Sequence, residues 1–307
     1  MDTAKNTFCT IITRDYLPYA KTILSSLQRF DSQVRLHVLI VGENVTLKHS
    51  GLFVHTLNEV TNNVAIGDRI VLKYNNENSK DQLRWSLKPV FINFLFSQGY
   101  EKVIFTDPDT YYFSDFGFLF DELNCQGILL SPHWRGKSPT MDHVNFDLQF
   151  VEGLYNAGFV GVHKNSKDAM DWWAKCCLHR CEKSQTLGHY VDQTYLNLLP
   201  IYFDNVSVLK HQGCNVAGWN ISYCKRVKEN DTAKINNQWP VVFIHFADLT
   251  ISMMVQGQDD FLVPYLHEYI SELSKNGVDL DLKHFERKKP SLYRKIEFQI
   301  KKAFNKT

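Results

Sequence analysis

At 307 residues, with 44% hydrophobic and 13% aromatic side chains, the chain is long enough to bury a sizeable core as one large domain or two small ones. Net charge is +1, but nine Lys/Arg against two Glu between Lys283 and Lys306 give that stretch +7 and leave −6 on the preceding part, which argues against nucleic acid as a partner. No run of about 18 apolar residues and no basic-then-apolar N-terminus occurs, so neither a membrane span nor a secretory signal is expected, and seven irregularly spaced cysteines fit a reducing compartment.

Phe8 to Thr13 reads as a first strand, and Leu17 to Phe30 as a helix with Pro18 in its first turn. Arg35 to Val41, closed by Gly42, predicts a second strand and Leu52 to Leu57 a third. Asp81 to Gln98 has a helical pattern that Pro89 should start or kink, and Gly99 ends it. Lys102 to Thr106 is the next strand, followed by a short helix over Phe116 to Leu123 and a strand over Gly127 to Ser131. Ser138 to Asp147 is polar and loop-like; Phe159 to Val162 reads as a strand with Asn156-Ala157-Gly158 at its entrance. Lys167 to Cys181 and Tyr190 to Leu198 read as helices, and Val241 to Phe246 as a late strand. Repeated strand–helix alternation predicts an α/β fold, a mostly parallel sheet covered on both faces. A catalytic domain over 1–282 and a basic tail over 283–307 is the expected division.

Asp107-Pro108-Asp109 ends a β-branched and aromatic run, and the C-terminal edge of an open α/β sheet is where ligands bind. A turn there would bring both carboxylates to one divalent cation, which can bridge protein to a diphosphate. His245 follows its own strand in the same way, and an imidazole with carboxylates suits Mn²⁺. Asp192 and Gln193 offer hydrogen bonds to sugar hydroxyls, or Asp192 only a helix cap; the Gln193 amide cannot titrate, though its carbonyl could face a developing cation. Asn156, Ala157 and Gly158 suit a small polar ligand or a plain turn. Thr10, Thr13 and Asp15 lie where a nucleotide would sit in such a fold; Lys88 is a candidate phosphate contact or a solvated lysine. Gly213 to Asn220 is a glycine-bearing loop suited to phosphate or acceptor, with no Walker or dinucleotide fingerprint anywhere. Cys176, Cys177, His179 and Cys181 crowd one helix without closing a zinc set.

In their order and spacing, Cys9 to Leu27, Lys88-Pro89, Tyr100 to Asp109, Leu130 to His133, Tyr155 to Gly161, Val191 to Gln193, Gly213 to Asn220 and Ile244 to Phe246 resemble GT-A fold nucleotide-diphospho-sugar glycosyltransferases. The likeness is to the retaining glycogenin and lipopolysaccharide-galactosyltransferase group, nearest to bacterial surface-polysaccharide enzymes. It implies a Rossmann-like mixed sheet and Mn²⁺ or Mg²⁺ held by Asp107, Asp109 and His245 on a UDP-sugar donor. Lys88 would contact donor phosphate or sugar. Asn156, Ala157, Asp192 and Gln193 would surround the sugar, with Gln193 next to the reacting carbon. Thr10 and Thr13 would lie near the nucleotide, Gly213 near phosphate, and His133 and Trp134 where donor and acceptor contacts begin. Ala247-Asp248 replaces the small residue and glycine that usually follow His-Phe. The implied reaction transfers a hexose or N-acetylhexosamine to a glycan hydroxyl with retention, the acceptor being lipid-linked at the inner face of the plasma membrane. Leu292, Ile296, Ile300, Ala303 and Phe304 share a helical face among lysines and arginines, suiting either peripheral membrane contact or docking on the protein. A sugar-1-phosphate nucleotidyltransferase and a noncatalytic carbohydrate-binding protein are the competing readings. Donor sugar, acceptor, linkage and oligomeric state are not legible.

Overall fold

A computed structural model describes residues 5–286 apart from 44, 46, 48, 77, 126, 185, 230 and 231. Its strands are β1 (Asn6–Ile12), β2 (Leu36–Ile40), β3 (Leu52–Thr56), β4 (Lys102–Thr106), β5 (Thr110–Tyr112), β6 (Ile128–Pro132) and β7 (Tyr155–His163). Then come β8 (Lys183–Ser184), β9 (His189–Tyr190), β10 (Val206–Val208), β11 (Arg226–Glu229), β12 (Thr232–Ile235), β13 (Trp239–Pro240) and β14 (Phe243–His245). Seven of them form one sheet in the order β10-β6-β7-β4-β1-β2-β3. Only β7 runs against its neighbours, β4 and β6; the other pairs are parallel. This is the mixed, mostly parallel α/β sheet that the strand–helix alternation predicts.

Side-chain alternation explains why both faces are covered. Along β1, Cys9 and Ile11 enter one core with Val103 and Phe105 of β4. Phe8 and Ile12 enter the opposite core with Ile104. The first core packs beneath helices Lys88–Ser97 and Lys167–His179, the second beneath Leu17–Gln28 and Gly117–Cys125. A third cluster joins the region after β10 to helices Asp248–Val255 and Val263–Lys275.

Several local expectations change. The pattern from Asp81 to Gln98 is two helices, Lys80–Ser86 and Lys88–Ser97, with Pro89 in the first turn of the second. The second half of the polar stretch expected as a loop starts helix His143–Glu152, capped by Asp142, whose side chain accepts from the Asn145 backbone N–H. Asn156, Ala157 and Gly158 lie inside β7, so the turn reading fails. Tyr190 to Leu198 is not an α-helix: β9 ends at Tyr190, and a 3₁₀ turn over Thr194–Leu198 leads into the short helix Leu199–Tyr202. Asp192 therefore caps no α-helix there. The amphipathic tail at 292–304 lies outside the described residues; Lys283–Glu286 forms a helical turn with Phe285 buried. Among the described residues no helix is long and apolar enough to cross a membrane.

Candidate active site

The acidic pair sits in a turn that its sequence dictates. Thr110 N–H donates to the Asp107 carbonyl at 3.2 Å, which places Pro108 at the second turn position, where its fixed φ is favoured. Asp107 N–H donates to Gly158 O of β7 at 2.8 Å. The chain then enters β5, which pairs antiparallel with β14 so that Thr110 opposes His245. Phe246 N–H closes the register on Asp109 O at 2.7 Å. Two strands far apart along the chain thus bring three ligand-bearing side chains to one place.

Ligand atoms of Asp107, Asp109 and His245 all lie within 4.8 Å of one another. His245 Nε2 is 3.1 Å from Asp109 Oδ1 and 4.0 Å from Asp107 Oδ2. His245 is 7% exposed while the carboxylates are 28% and 29% exposed, so the cluster opens on its acidic side. Burial opposes charge on the ring, but Asp109 and Asp107 together outweigh it and raise the His245 pKa. Burial likewise opposes ionisation of Asp109, and His245 holds its carboxyl below the usual range. Gly158 keeps the space free: a Cβ there would stand 2.6 Å from His245 Cε1 and 2.7 Å from both Asp107 Oδ2 and Asn156 Oδ1. Two carboxylates and one imidazole around that space fit a divalent cation such as Mn²⁺ or Mg²⁺. Among the described residues this is the one such grouping; the Cys176–Cys181 segment forms none, with Cys177 and Cys181 buried and His179 exposed.

Lys88 is not a solvated lysine. Its side chain is 5% exposed and Nζ donates to Ala157 O at 3.0 Å, beside Asp192 Oδ2 at 3.2 Å and Asp107 Oδ1 at 3.5 Å. Burial works against the ammonium, yet the two carboxylates raise its pKa and keep it charged. One cation between two acids leaves the deeper acid undercompensated. Burial, with Asp107 adding and Lys88 opposing, pushes Asp192 up to about 6.

Gln193 has both ends of its amide occupied. Oε1 accepts from Ala157 N–H at 3.0 Å and faces Asn156 Nδ2 at 3.4 Å, while Nε2 donates to Glu152 O at 2.8 Å. His133 is buried and held neutral, its pKa lowered to about 3 by burial and then by Arg135. What closely approaches Gly213 is its own chain: a Cβ there would lie 1.7 Å from Pro240 O.

Thr10 is fully buried in β1 with no hydrogen bond to Oγ1, whereas Thr13 bonds Asp15. Thr13, Asp15, Tyr16, Gly42 and Arg84 line a cavity of about 960 Å³ at the C-terminal ends of β1 and β2. Burial raises the pKa of Tyr16, which lines this cavity; Arg84 opposes the shift and Asp109 adds to it. Sequence reasoning missed Asn215 as an individual residue, though the loop carrying it stood out by composition; Trp219 could be read as a candidate stacking face for a sugar, but not its place against His245. Trp219 packs edge-on to His245 at 5.1 Å and to His133 at 5.8 Å, with its buried Nε1 unpartnered.

The fold matches known transferases. The chain superposes on the galactosyltransferase LgtC, solved with donor and acceptor sugar analogues, with a TM-score of 0.51 at 13% identity over 90% of this chain and 97% of that one. An active-site mutant of LgtC gives 0.53 at 13% identity over 88% and 95% of the two chains. The bifunctional glycosyltransferase WbbM gives 0.50 at 14% identity, covering 89% of this chain and 52% of that one. The chain has a GT-A-like glycosyltransferase fold. By sequence it is 24% identical to the uncharacterised Bacillus subtilis (strain 168) protein YfnF over 277 residues, 86% of this chain and 90% of that one. It is 29% identical to YfnD of the same organism over 254 residues, 80% and 78%. No family model matches.

Proposed function

We propose that this protein is a divalent-cation-dependent glycosyltransferase. It moves a hexose or N-acetylhexosamine from a UDP-sugar to a glycan hydroxyl, with retention, in surface-polysaccharide assembly. The observation that carries this reading is the meeting of Asp107, Asp109 and His245 at one opening of a GT-A-like sheet. The two aspartates and His245 would hold Mn²⁺ or Mg²⁺, which supplies charge neutralisation for a departing diphosphate. The cavity beside Thr13 and Tyr16 would take the nucleotide. Asn156 and the turn bearing Asp192 would bind sugar hydroxyls, and the buried wall around them would orient the donor and exclude water.

Retention fits the state of the polar groups. Asp192 is 1% exposed and paired with Lys88, and Gln193 is engaged at both ends of its amide. Neither is a free nucleophile, so retention would proceed by attack of the acceptor hydroxyl on the face that the leaving group vacates rather than through a glycosyl-enzyme. Lys88 acts by holding Asp107 and Asp192 in place, while donor phosphate is met by the cation side of the cluster.

The test is a screen of UDP-glucose, UDP-galactose and their N-acetyl forms with Mn²⁺ or chelator, reading UDP and pyrophosphate separately. Release of UDP that depends on cation supports a transferase; pyrophosphate release would replace it with a nucleotidyltransferase. Sugar binding without turnover of any donor would leave a carbohydrate-binding protein. We assign residues 1–282 to catalysis and 283–307 to peripheral contact with an anionic membrane at the cytoplasmic face. Unchanged liposome flotation after removal of 283–307 would withdraw that assignment.

A further inference from the structure

Behind the cation-facing cluster runs a circuit of amides whose polarity can be read from its two ends. Gly158 N–H donates to Asn156 Oδ1 at 3.0 Å. A backbone N–H can only donate, so this atom of Asn156 is the oxygen and the other is the NH₂. In one direction, Asn156 Nδ2 lies 3.3 Å from His133 Nε2, and His133 Nδ1 lies 2.9 Å from Gly153 O. A carbonyl only accepts, so His133 carries its proton on Nδ1 and presents a lone pair to Asn156. Both ends of that branch agree.

In the other direction, Asn156 Oδ1 needs a donor from Asn215. The facing atom, at 3.2 Å, is therefore Asn215 Nδ2, which also donates to Ser131 Oγ at 3.1 Å. The remaining atom, Asn215 Oδ1, then faces His245 Nδ1 at 3.3 Å. An amide oxygen there accepts only from a protonated Nδ1.

We infer that Asn215 is a positioning residue for His245: its amide oxygen keeps a proton on Nδ1, so that Nε2 is the nitrogen presented to Asp107, Asp109 and a cation. Partners of this kind fix the tautomer and ring orientation of metal-binding histidines. The surroundings of Asn215 are built to hold it. It is fully buried, and its φ of +55° lies in the left-handed region that asparagine tolerates better than most residues. Asn220 Nδ2 donates to the Asn215 carbonyl at 2.9 Å. Arg226, ion-paired with Asp259 at 3.0 Å, donates to Ala217 O at 2.7 Å and pins the same loop. The inference rests on the cation-dependent reading above for its purpose, but not for its geometry.

The test uses the full-length protein labelled with ¹⁵N-histidine, the His245 ring signals being assigned by their loss in His245→Gln. Without a cation the Asp109 carboxylate, 3.1 Å away, also holds a proton on Nε2, so the spectrum is taken on the wild type saturated with diamagnetic Mg²⁺: His245 should show a protonated-type ¹⁵N shift at Nδ1 and an unprotonated one at Nε2. An unprotonated Nδ1 on His245 overturns the proposal, and this measurement needs no variant at Asn215. In folded Asn215→Ala, the Nδ1 assignment should be lost and Mn²⁺ affinity, read by electron paramagnetic resonance, should fall about 10- to 100-fold. Unchanged tautomer and affinity in that variant also overturn it. A wild type that binds neither Mn²⁺ nor Mg²⁺, but whose Nδ1 proton is lost in Asn215→Ala, would defeat the cation reading while supporting the role of Asn215.

Discussion

Two of the buried histidines, His245 and His37, sit under opposite electrostatic regimes. His245 lies against two carboxylates and its pKa rises, although burial opposes the charge. His37, on β2, contacts His55 Nε2 at 2.7 Å and Tyr100 Oη at 2.8 Å, and His55 in turn contacts Glu59 at 2.9 Å. There burial, then His55 and Arg35, push His37 down to about 3. Burial is common to both, so the neighbours decide: acids make a place for positive charge, while rings and an arginine make a neutral structural link. The first cluster opens to solvent through acids that face the ring; in the second the half-exposed acid, Glu59, faces His55 rather than His37.

The comparison is broken most severely by removing an acid from the open cluster. Asp109→Asn should reduce UDP release by about 10³-fold, the scale of losing one electrostatic stabiliser at a reacting group, with far-UV circular dichroism unchanged. Full activity at limiting Mn²⁺ would reject Asp109 as a ligand. Removing the central cation from the neighbouring acids comes next. Lys88→Met leaves Asp192 buried and unpaired, a loss of about 3 kcal/mol in urea unfolding. Adding Asp192→Asn should recover part of it, and failure of the double variant to recover any stability would dissolve the proposed pair.

Filling the space comes third. Gly158→Ala puts a methyl against His245, Asp107 and Asn156, costing about 1–3 kcal/mol and weakening Mn²⁺ binding; an unaltered affinity would mean that the cluster relaxes freely. The smallest effect sharpens the neutral side. Below the ordinary histidine pKa of about 6.5, the unfolded chain takes up a proton that folded His37 refuses until about pH 3. Its stabilisation is therefore complete above 6.5 and drains away as pH falls toward 3. His133 behaves in the same way. Each contributes at most about 1.4 kcal/mol per pH unit, so His37→Gln should flatten the acid limb of a stability–pH curve. An identical slope would show that another group controls it.

How much of this was legible in the sequence follows from the range of the interactions. Strand ends carrying Asp107, Asp109 and His245 could be read because β-branched runs announce strands and sheet edges gather ligands. Helix His143–Glu152 hid because Val144, Phe146, Leu148 and Phe150 alternate with polar residues at a strand's period rather than a helix's, and none is buried; Asp142 three residues before Asn145 was the available cap signal. Asp192 and Gln193 were visible as residues, but not their surroundings. Their partners Lys88, Ala157 and Glu152 come from other elements, and periodicity says nothing of buried hydrogen bonds between them. Asn215 was hidden for the same reason, since it meets Ser131 across 84 positions of chain.

The pairing of β5 with β14 carries a consequence for how the molecule is made. Because Thr110 and His245 are neighbours in space but remote along the polypeptide, a ribosome-bound fragment ending before β14 lacks the third ligand altogether. Cation capture would then be among the last events of folding, rewarding only chains whose final strand has already docked.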